Sequence, residues 1–330
     1  MGGNILNRKF VIYIISLILI LIITPAVYGS VPEQTLKINL KKNIDFSHFS
    51  LTVNGALLSN EYSLEELYTE LDIVLDGKLT VGRNKFSTGP GKFTQLMISE
   101  EGPPLEMILL ETNHRYFKAK QVVAFLGEGV NKQLFIHRIE NSSLIPGFTI
   151  GLSESMMASK VIHPAYYNPI PFWPYYLTKK LLGINSVYDD NSDNYIGIDF
   201  SYRLKDNGHI YGELLVDEYP MLPRYNNPRK IAWIIGVDKS LQDGIEFAAE
   251  LSRVRKNVYY HRHDSNDYFY KDEFIGHWGG ADVAVIDFAL TRQLKKDRSA
   301  KLNLEYVHRG DTNYIVNEAD KRSPEDITYQ

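Results

Sequence analysis

Beyond residue 70 the chain alternates apolar and polar positions with a period of two, the pattern of strands whose two faces meet different surroundings. From Tyr195 to Arg203, Ile196, Ile198, Phe200 and Tyr202 fall on one face, and Tyr195, Gly197, Asp199, Ser201 and Arg203 on the other. Ile231, Trp233, Ile235 and Val237 make a second apolar row, and Ile245, Phe247, Ala249 and Leu251 a third, opposed by Glu246, Glu250 and Ser252. Leu302, Leu304 and Tyr306 alternate with Lys301, Asn303 and Glu305. Further strands are drawn at 106–112, 118–126, 131–140, 147–153, 209–217 and 282–292, which predicts about twelve strands. Short polar turns at Lys205–Gly208, Lys239–Asp243 and Gln293–Arg298 alternate with long segments at 154–194, 218–229 and 255–281. Paired antiparallel, such strands place the three short turns at one end of the sheet and the three long segments at the other. That asymmetry is typical of outer-membrane barrels, whose periplasmic turns are short and external loops long.

The polar rows carry Arg138 and Glu140, Asp199 and Arg203, Glu213, Glu246 and Glu250, Glu305 and Arg309. Opposite charges on one face fit a polar barrel interior; the water-facing side of a soluble β-sandwich fits the same alternation. The expected fold is all-β, an antiparallel transmembrane β-barrel over 71–309 followed by a polar tail or incomplete closing strand at 310–330. Ahead of it, Ser63-Leu64-Glu65-Glu66 is a capping box with Leu67 and Leu71 on one side. It predicts a short helix within a periplasmic or plug segment at 30–70, or else a lead-in to the first strand. At the N-terminus, Asn7-Arg8-Lys9, the apolar run Phe10 to Ile23, and Ala26-Val27-Tyr28-Gly29-Ser30 have the layout of a secretory signal spanning 1–29. The run of about 14 residues is shorter than the ~20 that span a bilayer, which favours cleavage after Gly29 over an uncleaved anchor.

Composition narrows the chemistry. With no Cys among 330 residues, disulfides, thiolate metal sites and cysteine nucleophiles are excluded. A formal charge of -4 without a concentrated Lys/Arg stripe argues against nucleic acid as a partner. A mean hydropathy of -0.23 excludes a bundle of membrane helices but leaves a barrel open. Gly151-Leu152-Ser153-Glu154-Ser155 lacks the second glycine of a nucleophile elbow, and Gly127 to Lys132 is too short for a phosphate loop. Glu213 and Asp217 share a face and, with Glu154, are expected to form an acidic patch in the lumen; carboxylate pairs are too common here to imply a glycosidase. Tyr259-Tyr260-His261-Arg262-His263-Asp264 sets two imidazoles at i and i+2 without a third ligand, and reads as a polar external loop. No cofactor, metal or catalytic residue is expected, so the chain does not read as an enzyme.

One stretch is distinctive: Val81-Gly82-Arg83-Asn84-Lys85-Phe86-Ser87-Thr88-Gly89-Pro90-Gly91, then Leu96-Met97-Ile98-Ser99 and Pro103-Pro104-Leu105. It reads as a strand ending at Gly82-Arg83, a tight Gly-Pro-Gly bend and a loop returning through the prolines. It resembles the capsule assembly family called Wzi, whose pattern has a Gly-Arg pair, Trp-Gly-Pro-Gly, a Leu-rich segment, Ser and a Pro before the next strand. Thr88 stands where the family usually has Trp. Ile150-Gly151-Leu152-Ser153-Glu154, Tyr167-Asn168-Pro169 and Tyr211 to Glu218 continue the resemblance in order, to about Arg309. The resemblance implies a plugged outer-membrane barrel, monomeric and set in outer-membrane lipid, that acts as a lectin for capsular or surface polysaccharide. It makes Gly82, Arg83, Gly89, Pro90, Gly91, Ser99, Pro104, Glu154, Pro169, Glu213 and Asp217 structural positions of the motif. A porin or solute channel is the alternative, and a secreted glycan-active β-sandwich a second one.

Sugar contact is expected from the aromatic and proline-rich segment that includes Tyr166, Tyr167, Asn168, Phe172, Trp173, Tyr175 and Tyr176. Aromatic rings offer flat apolar faces to the CH surface of a sugar, and Asn offers orienting hydrogen bonds. The bland reading of the same residues is packing at the barrel mouth or an interfacial girdle.

Overall fold

A computed structural model of the chain describes residues 38–310 apart from 47–48, 59–60, 74–75, 128–130, 160–161, 163, 168–191, 206, 218–229, 242–243, 262–265 and 296–297, with side chains from Glu66 onward. The strands are β1 (Ile38–Phe46), β2 (Phe49–Leu58), β3 (Glu61–Ile73), β4 (Gly77–Asn84), β5 (Leu105–His114), β6 (Phe117–Phe125), β7 (Gln133–Ile145) and β8 (Phe148–Ala158). They continue as β9 (Ser192–Arg203), β10 (Gly208–Asp217), β11 (Ile231–Ser240), β12 (Ile245–Val254), the short pair β13 (Phe269–Tyr270) and β14 (Glu273–Phe274), β15 (Val283–Lys295) and β16 (Arg298–Arg309). Fourteen of them form one antiparallel sheet in chain order, β13 and β14 standing apart. Among the described residues no ladder joins β1 to β16. The stretch 1–29, expected to be a secretory signal, and the tail beyond Gly310 lie outside the described residues.

The strand periodicity is realised with the faces the sequence assigned. Tyr195 is fully buried and Asp199 nearly so, while Ile196, Ile198, Phe200 and Tyr202 stand exposed on the opposite face of β9. The exposed row continues through Leu152, Leu214, Ile235, Leu251, Ile286 and Leu304, one apolar residue on each neighbouring strand. An apolar outer face around a polar, filled inner face is the inverse of a water-soluble sheet and the arrangement of an outer-membrane barrel.

From β7 onward the connections separate by length, as does β4–β5 from β5–β6, whereas β2–β3 and β6–β7 are short joins at the long-connection end. β5–β6, β7–β8, β9–β10, β11–β12 and β15–β16 are tight hairpins at one end. β4–β5, β8–β9, β10–β11 and β12–β15 are joined at the other end by segments of a dozen residues or more. The core lies against the inner face and is made largely by two of these long connections, residues 85–104 and 255–282, which fold back onto the sheet. Leu96, Met97, Ile98, Val258, Tyr259, Tyr268 and Ile275 from the connections pack on Leu105, Met107, Val122, Leu134, Ile136, Tyr195 and Tyr211 of the strands.

The helix expected from the capping box at Ser63 is a strand. Residues 61–73 run along β4 in register from Leu67 opposite Arg83 to Ile73 opposite Gly77. A capping box is worth about 1 kcal/mol of local preference. A ladder to β4, with Tyr68, Thr69 and Ile73 suited to a pleated surface, outweighs it. The sheet therefore begins at Ile38, inside the stretch read as a plug segment, and the filling of the inner face comes from later connections.

Candidate functional site

The inner face is organised by carboxylates that hold the 85–104 connection. Glu213, buried on β10, accepts the backbone N–H of Gly91 at 2.8 Å and of Leu96 at 2.9 Å. Glu250, buried on β12, accepts Lys92 N–H at 2.8 Å and the Tyr211 hydroxyl at 2.9 Å. One bent loop thus carries its unpaired donors to two acids more than a hundred residues away, which satisfies both a buried loop backbone and two buried carboxyl groups. Gly89 takes φ of 104°, a region glycine occupies without strain, and a Cβ there would land on the Glu213 carboxylate. Inside the loop, the Gln95 amide donates to Gly91 O, and Ser99 Oγ accepts Glu101 N–H at 3.2 Å.

A second polar cluster lies beside it. Arg138 on β7 donates to Asp199 on β9 through Nη2 at 2.9 Å and to Ser153 Oγ on β8 at 2.9 Å. β8 passes between the pair, and Gly151 gives them room: a Cβ there would collide with both side chains. Between the two clusters, Thr88, Leu96, Met97, Arg138, Asp199 and Glu213 line a space with room for about one water. No sugar ring fits there.

The 255–282 connection packs against a further part of the described inner face. Tyr259 N–H donates to Asp217 Oδ2 at 2.8 Å, and its hydroxyl donates to Leu96 O at 2.5 Å, tying this connection to the first. Tyr268 pairs with Ser155 at 2.9 Å. His277 Nδ1 accepts Gly279 N–H at 3.0 Å, so its Nε2–H faces Ser252 Oγ at 2.8 Å. Burial, reinforced by the Arg309 guanidinium, holds the His277 imidazole down at about 4, neutral near pH 7. Lys132, at the foot of β7, donates to Asp267 O at 2.7 Å and Phe269 O at 3.0 Å; burial lowers it to about 8 against the opposing pull of Asp267.

The motif positions are therefore distributed among distinct jobs. Gly89, Gly91 and Glu213 meet at one point; Ser99 shapes the loop, its N–H donating to Ile275 O at 3.0 Å; Asp217 holds Tyr259. Pro90 sits in the bend and Pro104 at the entry to β5, both half-buried. Gly82 adopts φ of 132° where β3 passes close, a Cβ there meeting the Leu67 and Tyr68 backbone. Arg83 pairs at 2.8 Å with Glu106, its register partner on β5. Glu154 does not join Glu213 and Asp217. It pairs with His137 and with the exposed Ile196, on the outer face, whereas Ser153 and Ser155 face inward. The acidic patch is Glu213, Glu250 and Asp287 instead, a grouping visible only once strand register is known.

Of the aromatic segment, Tyr166 and Tyr167 are described; Asn168, Pro169, Phe172, Trp173, Tyr175 and Tyr176 lie outside the described residues. Tyr166 is fully buried with Phe135, Met156 and Ala158, in a small cluster separate from the inner core. Tyr167 stays 43% exposed, its ring edge-on to Phe135 and its hydroxyl donating to Gln133 Oε1 at 2.6 Å. The chain thus presents one of these rings and buries the other. His261 N–H donates to Asp267 Oδ1 at 2.7 Å, and His263 lies outside the described residues. Among the described residues no His, Asp and Glu grouping suits a metal ion.

Residues 173–328 match the family model of the capsule assembly protein Wzi. Among solved structures, the chain is similar to Wzi of Escherichia coli, described as a carbohydrate-binding β-barrel of the outer membrane involved in group 1 capsule assembly. The superposition has a TM-score of 0.67 at 14% identity and covers 87% of this chain and 68% of that one. An anion-selective porin from Comamonas acidovorans is similar at a TM-score of 0.51 and 12% identity, over 84% and 80% of the two chains. At such identities the likeness is one of fold, the outer-membrane β-barrel. No curated protein sequence matches the chain.

Proposed function

We infer that this chain, which belongs to the capsule assembly protein Wzi family, binds a capsular or surface polysaccharide at the long-connection end of an outer-membrane barrel and helps to attach or assemble it at the cell surface, without catalysis. The observation that carries this reading is the filled inner face: Glu213 and Glu250 clamp the 85–104 connection onto the sheet, and Asp217 and Tyr259 lock the 255–282 connection against it. Connections that fold back and hydrogen-bond across the inner face narrow the space open to solutes, which favours a plugged barrel over the channel reading that the porin likeness would suggest. Its ligand is met at the rim, where the connections are long and Tyr167 presents an open aromatic face beside Gln133.

The test combines fractionation with binding. The protein partitions with the outer membrane and shows a heat-modifiable band; reconstituted in planar bilayers it conducts little. Retention of purified capsular polysaccharide falls several-fold in a Trp173→Ala/Tyr176→Ala variant that remains heat-modifiable. Porin-like conductance of the wild type, or retention unchanged in the variant, overturns the assignment of the site.

A further inference from the structure

The outer face of β11, β12, β15 and β16 changes chemistry abruptly toward the long-connection end. Leu290 and Leu302 face each other, then Phe288 and Leu304, then Ile286 and Tyr306. The next pair on that face is Ala284 and His308, and its row extends through Arg253 to Trp233. At the opposite limit Arg292 stands across from Ala300. From Arg292 to Ala284 the strand covers roughly 27 Å, which at a tilt of about 35–45° rises roughly 19–22 Å and so takes up most of the ~25 Å apolar band of a membrane barrel. The Trp233, Arg253 and His308 row therefore lies at one boundary of the band, on the side of the long connections.

This boundary is cationic. Arg253 is fixed by Asp282 at 3.0 Å. Immediately above it Arg255 and Lys256 are exposed, as is His308, and none of these three makes an ion pair among the described residues. Other cations at this end already have partners: Lys132 and Lys230 donate to backbone carbonyls, and Arg83 pairs with Glu106. Trp233, half-buried on the same row, has the amphipathic ring favoured at a membrane–water boundary. Two uncommitted permanent charges next to an indole and a fixed arginine, at the level where headgroups begin, match the phosphates of an amphiphile whose acyl chains lie along the apolar rows below.

We propose that this rim, formed by Trp233, Arg253, Arg255, Lys256 and His308, binds the phosphate groups of a phosphorylated glycolipid of the outer leaflet. The proposal rests on the membrane placement given above, with the long connections outside. A lipid anchored here fixes the barrel's rotation and depth beneath a glycan layer, so that the long-connection end faces the polysaccharide.

The full-length protein, folded in a neutral detergent, is titrated with bisphosphorylated lipid A, with the same lipid after phosphatase treatment, and with inorganic phosphate. The bisphosphorylated lipid binds at least tenfold tighter than the dephosphorylated one, and more weakly as salt rises. Arg255→Gln/Lys256→Gln weakens it at least fivefold, while Lys205→Gln, in a short turn at the other end, leaves it unchanged. Should the double variant lose its heat-modifiable band, Lys256→Gln alone and the lipid comparison on the wild type carry the test. Equal affinity for the dephosphorylated lipid, an unchanged affinity in the variants, or displacement by an equal concentration of inorganic phosphate overturns the proposal. Fractionation reports separately on membrane placement, so an outer-membrane protein without phosphate preference refutes this inference and leaves the placement standing.

Discussion

Glu213→Ala is the sharpest perturbation of the interior. The carboxylate is nearly inaccessible and accepts two backbone N–H groups from one loop, at 2.8 and 2.9 Å. Deleting the acceptor leaves two buried N–H donors unpaired, at about 1–3 kcal/mol each. The expected loss is about 2–6 kcal/mol, concentrated on the loop because the sheet ladder is untouched. Glu213→Gln keeps one acceptor oxygen and turns its amide toward the other N–H, so it lies between. Two measurements check this: the temperature at which the heat-modifiable band is lost, and conductance in a planar bilayer, which rises if the freed loop opens the interior. Gly89→Ala drives a methyl into that carboxylate and strains the backbone at φ of 104°. Combined with Glu213→Ala the clash disappears, so the double variant is less destabilised than the sum of the singles. A Glu213→Ala protein with wild-type melting and conductance, or strict additivity with Gly89→Ala, refutes the idea that this acid holds the loop in place.

The remaining predictions concern other parts of the molecule. Arg138→Ala strands the buried Asp199 and costs about 3–5 kcal/mol in denaturant unfolding, whereas Arg138→Leu/Asp199→Leu costs far less; a double variant as unstable as the single would show that the pair itself supplies net stability. His277 is held near 4 in the folded chain against an ordinary value of 6.5, so the unfolded chain binds the extra proton first as pH falls. Its contribution is intact above about pH 6.5 and is lost progressively toward pH 4, up to about 3 kcal/mol; His277→Gln flattens the melting temperature over that window, and an unchanged slope would argue against it. Leu304→Lys, 57% exposed in the apolar row of β16, lowers folding stability in lipid bilayers by about 2–4 kcal/mol; a negligible effect would mean that this face meets water.

Local sequence carried the strands because alternation is a local property. The faces of β9, β11, β12 and β16 follow from every second residue, and the contrast between short and long connections follows from turn chemistry at Lys205–Gly208 or Gln293–Arg298. The motif positions were equally legible, since Gly89 and Gly91 announce a bend where only glycine fits. Local signal also misled: the capping box at Ser63 is a true helix signal, overridden by a strand ladder to β4 that no window around Ser63 contains.

Partnership across the sheet belongs to the tertiary structure. Nothing near Glu213 in sequence indicates that it meets Gly91, nor that Glu250 meets Lys92, because register and loop return decide which distant residues share a point. The same holds for Tyr166 and Tyr167, adjacent rings of which one is buried and the other open. The cationic rim depends on aligning Trp233, Arg253 and His308 across strands far apart in the chain. Sequence by itself determined that this protein forms strands with an apolar face and a charged one. Only the tertiary structure decided what the charges hold, because a hydrogen bond between residues a hundred positions apart has no local signature.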